Sequence, residues 1–197
     1  MGCIANNPAE LGGAIDAAGA GKAARFIQLC DTFGIPILSL CDTPGFMVGP
    51  EAEKTGLVRH TSRLFTAMAK KKVPIFTVIL RKAYGLGSMA MAGGGMHESL
   101  FSVSWPTGEF GGMGLEGAVR LGFRKELEAI EDPEKREALY QQMVAKAYQH
   151  GRAINTAAFL EIDEVIDPQH TRTWIMNGLL SMGKVEKGGG RGFVDTF

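Results

Sequence analysis

The stretch Gly85-Leu86-Gly87-Ser88-Met89-Ala90 gathers the residue types with which this chain could do chemistry. A continuous apolar run precedes it and small residues follow it, the pattern of a strand that turns into a helix. At such a junction the first N–H groups of the helix lack partners within it and carry the positive end of its dipole. The pair on Leu86 and Gly87 suits an oxygen that gains negative charge during a reaction. A fixed donor of that kind lowers a barrier by about 3 kcal/mol. Gly85 and Gly87 have no side chains in the way of a second molecule approaching the main chain. The same glycines also suit plain helix packing against a sheet, and the local pattern leaves both readings open.

Two other chemistries fit these letters. G-x-G-x-x-A is a dinucleotide fingerprint, but that reading needs an acidic residue about twenty positions on, at the end of the next strand. Here the strand ends in Trp105-Pro106, and Glu109 lies past it in a Gly-rich turn. Gly-Ser-Met at a helix start also resembles the active-site segment of Clp-type serine peptidases, which implies Ser88 as a nucleophile. A serine needs a positioned base. His97 is too close along one short helix to fold back easily, which leaves His60 as the candidate.

The elements that position this junction read as alternating strands and helices. Residues 2–6 form a short apolar run, and residues 12–21 an Ala- and Gly-rich loop leading into a helix. From Lys22 the residues Ala23, Phe26, Ile27, Cys30 and Phe33 make a helical stripe, which Gly34 and Pro36 stop. Residues 35–41 are an apolar run interrupted only by Ser39, the pattern of a strand buried on both faces. Asp42-Thr43-Pro44-Gly45-Phe46 follows as a turn. Leu57, Val58, Thr61, Leu64, Phe65 and Met68 share the face of a long helix. Lys70, Lys71 and Lys72 close it as a solvated end that suits the helix dipole. Residues 73–80 form a second buried strand, and residues 81–85 lead into a small-residue helix over 86–94. A third strand over 99–105 stops at Pro106. Asp132-Pro133 caps a helix carrying Leu139, Tyr140, Met143, Val144, Ala147 and Tyr148. A short strand at 163–166 and a helix over 171–182 complete the order, with a flexible tail over 187–197. The reading is α/β, with a mainly parallel sheet built from repeated strand–turn–helix units and flanked by helices.

The 197 residues suffice for one core, with 45% apolar and 21% charged residues. Zero formal charge gives no bulk attraction to nucleic acid or to a membrane. No apolar run reaches the roughly 18 residues of a spanning helix, and the opening residues lack the regions of a signal peptide. Cys3, Cys30 and Cys41 are isolated and read as reduced, buried small hydrophobes of a cytoplasmic protein. Their spacing supports no metal site. Met89, Met91, Met96 and Met113 read as gap-fillers.

Arg81-Lys82-Ala83-Tyr84-Gly85 resembles a signature of the carboxyltransferase subunits of acetyl-CoA and propionyl-CoA carboxylases. Residues 19–25, Asp42-Thr43-Pro44-Gly45-Phe46, the helix around residues 59–64, Trp105-Pro106, Glu109, residues 113–119, Ile166-Asp167-Pro168 and Thr171-Arg172 match in the same order. The resemblance covers nearly the whole chain and only the C-terminal half of the family. It implies a crotonase/Clp-like fold over residues 1–197, with the N-terminal half absent. It also implies transfer of a carboxyl group from carboxybiotin to the α-carbon of an acyl-CoA. In that family the leaving biotin and the thioester enolate are each held in an oxyanion hole. Backbone N–H groups of Leu86 and Gly87 would bind the ureido carbonyl, so no side-chain base is required.

The implied substrate-binding residues are Arg81, Lys82, Ala83, Tyr84, Gly85, Met89, Asp42, Pro44, Gly45 and Phe46. Biotin would arrive on a carrier protein, with acyl-CoA as substrate and no metal. The implied partners are the N-terminal carboxyltransferase half, biotin carboxyl carrier protein and biotin carboxylase, in a homo-oligomer with no nucleic acid and no membrane. Sibling outcomes are the carboxyltransferase part of a biotin-dependent decarboxylase and a non-catalytic assembly fragment. Leu86-Gly87 stands where propionyl-type members often have Gly-Ala, and Met89 where many have Asp or Ile. Acyl specificity therefore does not carry over.

Overall fold

The computed structural model describes residues 1–183, so the expectation of a flexible tail over 187–197 lies outside the described residues. A sheet of six strands in the order β1-β2-β3-β4-β6, with β5 beside β3, forms the centre. Every strand pair in it is parallel.

The first unit runs from β1 (Gly2–Ala5) to α1 (Ala17–Thr32) and β2 (Ile37–Thr43). Asp16 accepts from the Gly19 N–H at 2.7 Å and starts α1 well before Lys22, inside the stretch expected to be loop. Ala20, Ala24, Ile27 and Cys30 make its buried face, whereas Phe33, expected in the stripe, falls beyond the helix and is exposed. The short α2 (Pro50–Lys54) leads into α3 (Leu57–Lys70), which packs beside α1 and buries Leu57, Leu64, Ala67 and Met68. Val58 points away from that face and is exposed.

The central strand, β3 (Ile75–Tyr84), alternates its apolar residues between the two faces. Ile75 and Ile79 join the core under α1 and α3, while Phe76 and Val78 join the core on the other face. Burial of each such side chain contributes about 1.5–3 kcal/mol. The strand does not end at Leu80: residues 81–84, expected as a linker, are its last four. It passes directly into α4 (Gly85–Met91), which ends before the expected residue 94.

The remaining strands are short: β4 (Phe101–Ser104), β5 (Glu109–Gly111) and β6 (Glu164–Val165). Beyond β5 lie α5 (Leu115–Gly122) and α6 (Arg124–Glu128). Next come α7 (Pro133–His150), capped by Asp132 as expected, and α8 (Ala153–Ala158). A separate cluster around Val119, Leu127, Tyr140 and Val144 joins α5, α6 and α7. The last helix, α9 (Thr171–Ser181), covers the second face of the sheet, where Trp174 meets Phe101 edge-on at 5.5 Å. No helix among the described residues is long and apolar enough to cross a membrane.

Candidate active site

β3 changes partner along its length, and that change builds the site. Phe76 to Ile79 pair with β4, whereas Lys82, Ala83 and Tyr84 pair with Glu109, Phe110 and Gly111 of β5. On the opposite side the register with β2 breaks, Cys41 facing Ile79 and Thr43 facing Ala83. The irregularity leaves the Lys82 N–H without a ladder partner, and a buried donor must be satisfied. Asp42 satisfies it, its Oδ1 accepting at 3.2 Å. Arg81 reaches the same carboxylate at 3.3 Å, and the Asn6 side chain accepts the Asp42 N–H at 3.1 Å. Asp42 and Thr43 therefore belong to β2, not to the expected turn; only residues 44–46 turn.

That turn lies against the start of α4. Gly45 donates to the Thr43 Oγ1 at 3.1 Å and accepts the Ile15 N–H at 3.0 Å, while Phe46 packs on Phe65 with ring centroids 6.1 Å apart. A Cβ on Gly87 would fall 2.7 Å from the Gly45 Cα. Gly85 turns the chain at φ +56, and a Cβ there would fall 2.8 Å from the Gly112 carbonyl oxygen. Of the two readings open for these glycines, the contacts support packing. Their missing side chains admit this chain's own main chain from two sides.

The N–H groups of Leu86 and Gly87 nonetheless stay unspent. Both belong to the first turn of α4, which has no side-chain cap, and no carbonyl among the described residues accepts them. Leu86 is 63% exposed, Met89 on the same face is 40% exposed, and Gly87 is buried. The arrangement offers two adjacent donors beside an apolar, solvent-accessible ridge.

Lys82, Ala83 and Tyr84 lead into this corner along the end of β3. Lys82 donates from Nζ to the Gly12 carbonyl at 2.6 Å, tying β3 to the loop before α1. Ala83 is buried. Tyr84, 3% exposed, donates to Glu109 Oε2 at 2.8 Å. Burial pushes its phenol well above the usual range, and the hydrogen bond to Glu109 adds to the shift. Glu109 entered the sequence reading only as a displaced acidic residue and as a family match; its bond to Tyr84 gave no signal there, because a parallel strand of three residues has no periodicity by which to find it.

Ser88 is buried and donates to the Gly85 carbonyl at 2.8 Å, with neither His60 nor His97 bonded to it. His97 is exposed. The nucleophile reading therefore lacks its base. All three cysteines are free, but Cys3 is exposed, against the expectation that it is buried. No cluster of metal-ligating side chains is present among the described residues. A cavity of about 660 Å³ lies next to this corner between β1, α1 and the core, lined in part by Asn6, Asp16, Lys22, Phe26 and Met91. Leu86 and Gly87 are not among its walls.

Residues 1–183 match the carboxyl transferase domain family. The 12S subunit of methylmalonyl-CoA carboxyltransferase from Propionibacterium freudenreichii subsp. shermanii is 38% identical over 183 residues, covering 91% of this chain and 34% of the relative. The carboxyltransferase subunit of propionyl-CoA carboxylase from Haloferax mediterranei is 37% identical over 179 residues, with the same coverage. This chain thus spans about a third of the length of these curated relatives. Among solved structures, a single-chain, multi-domain long-chain acyl-CoA carboxylase superposes with a TM-score of 0.80 at 54% identity, over 89% of this chain and 17% of that one. The transcarboxylase 12S hexamer, with methylmalonyl-CoA bound, superposes with a TM-score of 0.82 at 34% identity, over 96% of this chain and 37% of that one. With its parallel sheet, its strand-to-helix corner and these matches, the chain belongs to the carboxyl transferase domain family.

Proposed function

We propose that this chain supplies the biotin-facing half of a biotin-dependent acyl-CoA carboxyltransferase, working with an N-terminal half that holds the acyl-CoA. The observation that carries the reading is the pair of unpartnered N–H groups on Leu86 and Gly87. A cyclic urea presents one carbonyl oxygen with two lone pairs, which matches two adjacent donors. Its fused apolar ring and valeryl chain match the exposed Leu86 and Met89. The residues present therefore fit biotin. When bound, biotin supplies the carried carboxyl group and, after releasing it, a basic ureido nitrogen.

This chain's share of the work is electrostatic. The two N–H groups lie where negative charge on the ureido oxygen would develop, and fixed dipoles need no reorganisation as that charge appears. α4 is held by its own neighbours: the 44–46 turn from one side and the Gly112 carbonyl from the other. Such tight contacts keep the donors from drifting as charge builds. No general base is needed from the chain, in keeping with Ser88 being bonded into its own helix. The partners of this reading are an N-terminal carboxyltransferase half, a biotin carrier protein and a biotin carboxylase, in a homo-oligomer.

Complementation tests it. The chain is mixed with free biotin and either malonyl-CoA or methylmalonyl-CoA, with and without a separately produced N-terminal half of a family member, and acyl-CoA decarboxylation is followed. Turnover on mixing, absent from either piece alone, is the expected result. A mixture that assembles yet remains inactive with both substrates would overturn the reading.

A further inference from the structure

We propose that Glu109 is a positioning residue for the Leu86 and Gly87 donors, acting through Tyr84; in its chemical consequence this rests on the carboxyltransferase reading above. Tyr84 is both the last residue of β3 and the residue from which α4 departs. Its phenol crosses to β5 and donates to Glu109 Oε2 at 2.8 Å. Main-chain pairing fixes β3 only as far as Tyr84, opposite Gly111. One residue later Gly85 swings the chain at φ +56. The direction of α4 is therefore set by the orientation of the Tyr84 peptide group. A ring anchored at its far end limits how that group can turn.

Loss of the acceptor would leave a hydroxyl in a place that is 3% exposed, and such a group costs enough to pull its residue towards another partner. Any such movement is passed directly to the two amides. The surroundings reinforce the anchor. Burial and the hydrogen bond keep the proton on Tyr84, so the phenol remains a donor. Tyr148 of α7, bonded to Glu116 of α5 at 2.6 Å, backs the same corner from the helical side.

The test uses the full chain labelled with nitrogen-15 and reads the amide resonances of Leu86 and Gly87 while free biotin is titrated in. E109L removes the acceptor at similar bulk, whereas E109Q keeps an acceptor oxygen. E109L is expected to move both amide resonances and to weaken biotin binding about tenfold, and E109Q to recover the parental positions. In a Y84F background, E109L should produce no additional movement. Unmoved amides in E109L, or an additional movement in the Y84F background, would overturn the proposal. Should E109L fail to fold, Y84F, which deletes a single oxygen, supplies the same readout: moved amides support the proposal and unmoved ones overturn it. Amides that move in E109L of a chain whose parent binds no biotin would leave the positioning role standing and remove the carboxyltransferase reading instead.

Discussion

Replacing Gly87 with alanine isolates the packing of the 44–46 turn against α4. The new Cβ would lie 2.7 Å from the Gly45 Cα, 2.8 Å from its carbonyl carbon and 3.2 Å from the Phe46 nitrogen. Optimal carbon contacts sit at about 3.5–4.0 Å. All three atoms are main chain, so relief requires the turn or the helix to shift as a body. Overpacking of this kind costs about 1–3 kcal/mol. Gly87 is helical and is absent from the residues with positive φ, so alanine also recovers at most about 1 kcal/mol of helix propensity. The net loss is about 1–2 kcal/mol, which for a chain of this size lowers the melting midpoint by roughly 2–8 °C. Gly122, at the end of α5, is the control, because a Cβ there meets nothing within 4 Å. G122A should hold or raise the midpoint by a few degrees through propensity alone. Thermal melts followed by circular dichroism decide between them. A G87A chain that melts at or above its parent would refute the reasoning, since the turn would then not be seated on the helix.

Two further outcomes follow from single groups. A thiol reagent should modify Cys3 first, because Cys30 is 2% exposed and the Cys41 thiol, fully buried beside Asp42, is pushed up to about 12 by burial. Mass spectrometry should find one modified cysteine in the native chain and three after unfolding; early modification of Cys41 would contradict the packing of β2. Tyr148 is pushed up to about 12, first by its hydrogen bond to Glu116, from an ordinary value of about 10. A folded value above the unfolded one contributes stability fully present below pH of about 10 and lost as pH rises towards about 12. Y148F should therefore narrow its stability deficit across that window in urea melts taken at rising pH, and a deficit independent of pH would contradict the bond.

Much of this fold follows from local patterns in the chain, and the misreadings have physical causes. Residues 73–80 read as a strand because both faces are buried, so its residues are apolar on both, with Thr77 the one buried hydroxyl between Phe76 and Val78. Residues 81–84 continue that strand in polar letters, because there its neighbour is β5, which itself spans only three residues. Asp42 read as part of a turn for a related reason. A carboxylate in a strand is exceptional unless a register break leaves it a donor, and that break arises from two segments about forty residues apart. Helical spacing assigned Phe33 and Val58 to their stripes, but Phe33 lies beyond the end of α1 and Val58 off the buried face of α3, because spacing fixes neither where a helix stops nor which edge of its stripe a neighbour covers. The strand-to-helix corner at Gly85 was legible; the contacts that tighten it were not. They join Gly87 to Gly45 and Tyr84 to Glu109, pairs that only folding brings together.

The charges at this corner bear on how it can work. Arg81 and Lys82 are among the substrate-binding residues that the resemblance implies, and their charge suits an anionic group. In the fold Arg81 lies 3.3 Å from the Asp42 carboxylate and Lys82 is bonded to the Gly12 carbonyl at 2.6 Å. An anion recruiting Lys82 would have to release the loop before α1, and one recruiting Arg81 would compete with a carboxylate 10% exposed. Neutral main-chain dipoles on Leu86 and Gly87 face no such competition, since nothing in the described chain accepts them. The division is physically coherent. Side-chain contacts brace β2, β3 and the loop before α1 against one another, and under the proposed reading that bracing would hold two uncharged donors in place for an oxygen whose charge is only transient. A corner built on free lysines would instead bind any anion, including the reactant, and favour its resting charge as strongly as the developing one.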